Sequence, residues 1–110
     1  MNIVIKDTDG IKVVMFAGEL DTNAAPELEK EFNQLLDQGV NKILLNCEKM
    51  DFISSSGLRV LLATAQKLKD SNGELRVCCL NEDVQEVFDI SGFSTILMVF
   101  KDESEASQGF

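Results

Sequence analysis

The chain has 110 residues, 45% of them apolar and 26% charged, with nineteen acidic against ten basic side chains for a net charge of −9. That length suits one domain around one core, and the composition is that of a globular protein rather than a disordered one. A surface this acidic repels phosphate backbones, which argues against nucleic acid or anionic membrane as a direct partner and favours a partner with a basic face.

There is no histidine. This removes Ser-His-Asp and Cys-His nucleophile pairs and the commonest zinc ligand; acid–base chemistry by carboxylates stays open, but no carboxylate pair stands out from the acidic background. The cysteines Cys47, Cys78 and Cys79 are odd in number, lack Cys-x-x-Cys spacing and lie in apolar runs. They read as buried structural thiols. No apolar run approaches the ~20 residues needed to span a bilayer. Met1-Asn2-Ile3-Val4-Ile5-Lys6-Asp7 lacks the basic start and cleavage site of a signal peptide, so the cytosol is the expected compartment.

Ile3–Ile5 and Val13–Ala17 are apolar runs joined through Asp9-Gly10, a hairpin signal. Val13-Val14-Met15-Phe16-Ala17 does not alternate, which predicts a strand buried on both faces. Gly18-Glu19-Leu20-Asp21 leads out of it. Thr22 or Asn23 is the expected cap of a first helix, in which Pro26 is tolerated because the first turn has no N–H to lose. Ala25, Leu28, Phe32, Leu35 and Leu36 fall on one face of that helix, and Gly39 ends it. Ile43–Cys47 is the next strand. A serine segment follows, then a helix with Leu58, Leu61, Leu62, Ala65 and Leu68 on its buried side, stopped by Asn72-Gly73. Leu75–Leu80 is a further strand, Val84, Val87 and Phe88 mark a short acidic helix, and Ile96–Phe100 is a final edge strand. Residues 101–110 are polar and form either a short terminal helix or a frayed end.

The expected order is β-β-α-β-α-β-α-β. It implies a single α/β domain with a mixed sheet of four to five strands, its main strands parallel, flanked by about four helices. Residues 1–101 form the domain, and 102–110 a polar tail or terminal helix.

Three segments carry functional interest. Ser54-Ser55-Ser56-Gly57-Leu58 stands at a helix start, where one serine suffices as a cap. Three serines exceed that need, Gly57 leaves room for close approach to the backbone, and a phosphate placed there would face the unpaired N–H groups of the first turn. Neither a phosphate-loop spacing nor a Gly-x-Ser-x-Gly elbow is present. Gly18-Glu19-Leu20-Asp21-Thr22 is explained locally as a strand end and cap. Parallel neighbouring strands would nonetheless set it beside the serines. Phe88-Asp89-Ile90-Ser91-Gly92-Phe93 is adequately explained as a glycine-containing helix stop.

Taken together and in order, these three segments resemble the STAS domain, specifically the single-domain anti-sigma-factor antagonists of bacteria. The resemblance runs from about residue 3 to residue 101, and the serine segment is its most specific part. It implies a partner switch. The unphosphorylated antagonist binds an anti-sigma factor that is also a serine kinase and so frees the sigma factor. Phosphorylation from ATP breaks the complex, and a metal-dependent phosphatase restores it. The implied phosphoacceptor is Ser55. Glu19, Asp21 and Thr22 fall on the loop that helps contact the kinase, and Ser54, Ser56, Gly57 and Arg59 complete the expected partner-binding surface. The resemblance implies no cofactor, and the free form is expected to be monomeric. One position departs from the pattern: the family's usual Asp before the phosphoserine is here Ser54, which removes a negative charge beside the acceptor. The alternatives are a STAS scaffold subunit of a stress-signalling or lipid-transport assembly, the cytosolic part of an anion transporter, and an enzyme. The last lacks any acid, base, metal or cofactor constellation.

Overall fold

The computed structural model describes residues 3–110; residues 1–2, counted with the domain above, lie outside the described residues. Continuous apolar runs become the central strands. β1 (Ile3–Thr8) and β2 (Ile11–Phe16) form an antiparallel hairpin, closed by Asp9 at φ 51° and Gly10 at φ 81°, the left-handed pair that a two-residue hairpin turn requires. β2 then pairs in parallel with β4 (Lys42–Asn46), β4 with β6 (Glu74–Cys78), and β6 with the short edge strand β7 (Met98–Phe100). The five-stranded mixed sheet has the order β1-β2-β4-β6-β7. The expected class holds, and the expected order holds for the strands of this sheet and the helices between them.

Helices α1 (Ala25–Asp37), α2 (Ser55–Asp70) and α3 (Glu82–Ser91) supply side chains to the main core with the sheet. Phe16, Leu28, Phe32, Leu45, Leu61, Leu68, Val77 and Phe88 are fully buried in it. Each such side chain contributes about 1.5–3 kcal/mol of transfer free energy against the entropy of ordering the chain. The opposite face explains why β2 and β4 do not alternate. There Ile11, Val13, Leu44 and Cys78 form a second, smaller cluster beneath a terminal helix α4 (Glu103–Ser107), whose Ala106 is fully buried.

Within residues 102–110, α4 lies against this face of the sheet. Asp102 caps α4 by accepting from Glu105 N at 2.8 Å. Glu103 accepts from Asn46 Nδ2 at 3.0 Å and pairs with Lys6 at 3.2 Å. The Asn46 amide first, and then the Lys6 ammonium, hold its carboxyl below the ordinary range against the opposing effect of burial. Cys47 and Cys78 are buried, and burial pushes both thiols up, as expected of structural cysteines. Cys79 is only half-buried and lies in the left-handed region at φ 64°.

Three features differ from the sequence reading. First, Gly18–Leu20 is a strand, β3, and Met50–Ile53 is another, β5; they pair in parallel as a separate two-stranded sheet. Second, neither Thr22 nor Asn23 caps α1. The cap position is Ala24, which makes no side-chain bond, and Asp21 does the work from three residues upstream: its Oδ1 accepts from Asn23 N at 3.0 Å and from Ala24 N at 2.9 Å. Third, the last strand begins at Met98 rather than Ile96, because Phe93–Thr95 forms a turn of 3₁₀ helix after Gly92.

Candidate functional site

The two short strands bring the first two sequence segments together. Their register sets Glu19 opposite Phe52 and Leu20 opposite Ile53. Gly18 adopts φ 97° where the chain leaves β2, and its N–H donates to Lys49 O at 2.8 Å. At the far end Ser54 N donates to Leu20 O at 2.9 Å. The serine segment is thus fixed to the end of β3, immediately before Asp21. Long-range parallel pairing, rather than proximity in sequence, joins this region to the start of α2; Glu19, expected on the loop, lies on β3, and only Asp21 and Thr22 are on the loop after it.

The three serines then divide the labour. Ser54 is the N-cap of α2: extended backbone, its Oγ accepting from Gly57 N at 3.1 Å and its carbonyl accepting from Leu58 N at 3.0 Å. Ser55 is the first helical residue, exposed, and its hydroxyl has no hydrogen-bond partner among the described residues. Ser56 is half-buried and lines a groove between α1 and α2 with Thr22, Pro26, Glu29 and Arg59. A cap is needed once, and Ser54 meets that need. We expect Ser54→Ala to lower stability by about 1 kcal/mol, while Ser55→Ala changes it by no more than a few tenths. Urea unfolding of the two variants side by side checks this contrast.

Gly57 is placed differently from the other expected site residues. It is buried, and a Cβ on it would lie 2.9 Å from Leu20 Cγ and 3.0 Å from Ile53 Cγ1. The room left by its missing side chain is filled by this chain's own β3 and β5, not kept for a partner. Glu19, Thr22, Ser55 and Arg59 are exposed, and Asp21 and Ser54 half-buried, all around the start of α2 and the loop after β3. With Asp51 also exposed, the strand side of this surface is acidic and α2 brings the cation Arg59.

The third segment serves the scaffold. Phe88 is fully buried, Gly92 at φ 80° ends α3 in the left-handed conformation, and Ser91 Oγ donates to Phe88 O at 3.2 Å. α3 packs against β5, the strand that enters the serines. Asn81, which sequence reasoning passed over, ties the two: its Oδ1 caps α3 by accepting from Val84 N at 2.8 Å, while its Nδ2 donates to Met50 O at 2.9 Å. An asparagine ahead of Glu82-Asp83 signals the cap, but nothing local signals the bond to β5. Also unforeseen are two large apolar side chains left in solvent beside this frame, Phe52 on β5 at 45% and Ile90 on α3 at 80% exposure.

A family model described as the STAS domain matches residues 2–106. Among curated proteins, the chain is 36% identical over 110 residues to BtrV of Bordetella bronchiseptica, covering 100% of this chain and 95% of that protein, which is described provisionally as an anti-sigma factor antagonist. Among solved structures, the Thermotoga maritima protein TM1081, given the same provisional description, superposes with a TM-score of 0.90 at 27% identity, covering 94% of this chain and 90% of that one. The Bacillus cell fate determinant SpoIIAA, solved in its phosphorylated form, matches with a TM-score of 0.72 at 24% identity over 94% of this chain and 95% of its own, a likeness of fold. No helix among the described residues is long and apolar enough to cross a membrane.

Proposed function

The chain belongs to the STAS domain family, and from that premise we propose that it acts as an anti-sigma-factor antagonist switched by phosphorylation of Ser55. The observation that carries this reading is the separation of roles in the triplet. Ser54 closes the helix, so the exposed Ser55 hydroxyl has no structural duty and a phosphate can be added without dismantling the fold. In its free-hydroxyl form the surface built from Glu19, Asp21, Thr22, Ser54, Ser56 and Arg59 docks an anti-sigma factor that is also a serine kinase, and the sigma factor is released.

The chemical step moves the γ-phosphoryl group of ATP to Ser55. A P–O bond forms to Oγ as the terminal anhydride bond breaks, ADP leaves, and the hydroxyl proton passes to a base of the kinase. The product carries about −1.5 to −2 charges at neutral pH. The dipole of α2 favours an anion at this end, worth about 0.3–1 kcal/mol, so the host tolerates what the partner does not. On a surface already bearing Glu19, Asp21 and Asp51, the added charge changes what can approach. A metal-dependent phosphatase restores the hydroxyl. The similarity to named antagonists and the likeness of fold to phosphorylated SpoIIAA support the reading. It makes the chain a regulatory binding protein working in the cytoplasm, without catalysis of its own.

Incubation with the cognate anti-sigma kinase and labelled ATP tests it. The parent protein should incorporate one phosphate and Ser55→Ala none. Calorimetry should then show at least tenfold weaker kinase binding for the phosphorylated protein. Equal labelling of Ser55→Ala overturns the assignment of the acceptor, and equal affinity of the two forms overturns the switch.

A further inference from the structure

We propose that Arg59 is the intramolecular partner of the phosphate on Ser55, so that phosphorylation withdraws this guanidinium from the docking surface as well as adding negative charge. The inference rests on phosphorylation of Ser55 as read above and adds to it the group that receives the phosphate.

Ser55 is the first residue of α2 and Arg59 lies four residues on, so both occupy one face of the helix, one turn apart. Both are exposed. Side chains on a helix lean toward its N-terminus, so an arginine at position 59 is long enough to reach back toward the turn that holds Ser55. An anion placed four residues N-terminal to a cation is also the more favourable polarity for such a pair. Guanidinium and phosphate match as a two-pronged hydrogen-bonded ion pair, which a lysine does not reproduce.

Among the described residues no acidic side chain already claims this cation. The first turn of α2 contains no acidic residue, and Ser54 holds the cap position with a neutral hydroxyl. Among the described residues no carboxylate lies within ion-pair distance of Arg59, whereas Lys6, Lys12 and Arg76 each have one. Glu29 of α1 shares the groove with Arg59 but does not reach it, and Glu19, Asp21 and Asp51 sit on the strand side. These acids repel a phosphate at Ser55 and leave Arg59 as its nearest source of compensation along the helix.

The partner surface therefore changes twice in one event. Before phosphorylation Arg59 is available to a carboxylate of the docked protein, and afterwards it is engaged within its own helix.

The test needs no kinase. Phosphoserine is placed at position 55 by translational incorporation, and its second ionisation, ordinarily near pH 6, is followed by phosphorus NMR titration at low salt. Pairing with Arg59 lowers that pKa. Arg59→Gln should raise it by about 0.3 unit or more, and Arg59→Lys should recover only part of the difference. The control is Lys69→Gln, which removes the same charge from an exposed position near the other end of α2. Equal titration of the parent and Arg59→Gln overturns the proposal. So does an equal rise in Lys69→Gln, which would make the effect one of net charge. Because the phosphate is installed during translation rather than by the kinase, either negative result leaves the kinase assay on Ser55 untouched, and failure of that assay leaves this one readable.

Discussion

Gly57→Val is expected to destabilise the protein by about 1–3 kcal/mol, seen as a fall of roughly 1 M in the urea midpoint. The cause is packing rather than backbone freedom. A single Cβ at this position would meet Leu20 Cγ at 2.9 Å and Ile53 Cγ1 at 3.0 Å, closer than saturated carbons sit, and Leu20 is fully buried with no room to swing away. Valine adds two methyl groups beyond that Cβ. The start of α2 must then lift from β3 and β5, which strains the Ser54 N to Leu20 O bond that fixes the serine segment. Loss of partner binding should therefore exceed what the unfolded fraction explains. The double variant Gly57→Val with Leu20→Ala separates the causes. If crowding is responsible, the two changes are strongly non-additive and the pair recovers part of the lost stability. Simple additivity of the two losses would count against the crowding account.

The same contact shows where the sequence was informative and where it was not. β2 and β4 were legible because Val13-Val14 and Ile43-Leu44-Leu45 are apolar on both faces, and the second cluster under α4 supplies the reason. The hairpin was legible because Asp9-Gly10 suits a turn with left-handed backbone at both positions. β3 and β5 were not. Three residues of β3 and a β5 with Met50 and Ile53 buried but Asp51 and Phe52 exposed carry no clear period, and their pairing partner lies thirty-odd residues away. The vicinity of the Gly18–Thr22 segment and the serines was expected from general sheet geometry, yet the ladder that creates it was invisible.

Caps failed and succeeded for one physical reason. Asp21, Ser54 and Asn81 each bond a backbone N–H a few residues downstream, but in α1 the bonding residue is not the cap residue. Local preference for Thr22 or Asn23 could not reveal that. At the serine triplet, composition showed an excess of hydroxyls, and only the coordinates of Ser54 Oγ and Gly57 N assign the cap and release Ser55. Gly57 was noticed for its missing side chain. What fills the space is Leu20, distant in sequence, together with Ile53 four residues upstream.

The C-terminal segment was the least legible part, because its anchor is a charged residue in a strand. Arg76 on β6 is 6% exposed, and its guanidinium donates to the carbonyls of Ala106 at 3.0 Å, Gln108 at 2.6 Å and Gly109 at 3.1 Å. Glu74 accepts two further bonds at 3.2 Å each, and the cation lies 4.3 Å from the ring centre of Phe110 and 5.2 Å from that of Phe100. Arg76→Ala removes all of these at once, strands three carbonyls that end a helix, and uncovers the cluster of Val13, Leu44 and Cys78. We expect a loss of about 2–4 kcal/mol. Arg76→Lys should recover less than half, because an ammonium cannot reach three carbonyls and a carboxylate in one plane. The loss should also be local before it is global. Hydrogen exchange at residues 103–110 should accelerate by more than tenfold in Arg76→Ala while the amides of β2 and β4 slow or quicken only with overall stability. Uniform acceleration across the sheet and α4 would show that the arginine supports the whole core rather than fastening this helix to it. The proposed phosphorylation of Ser55 should proceed normally on the folded variant, since α4 covers the face of the sheet opposite to α2.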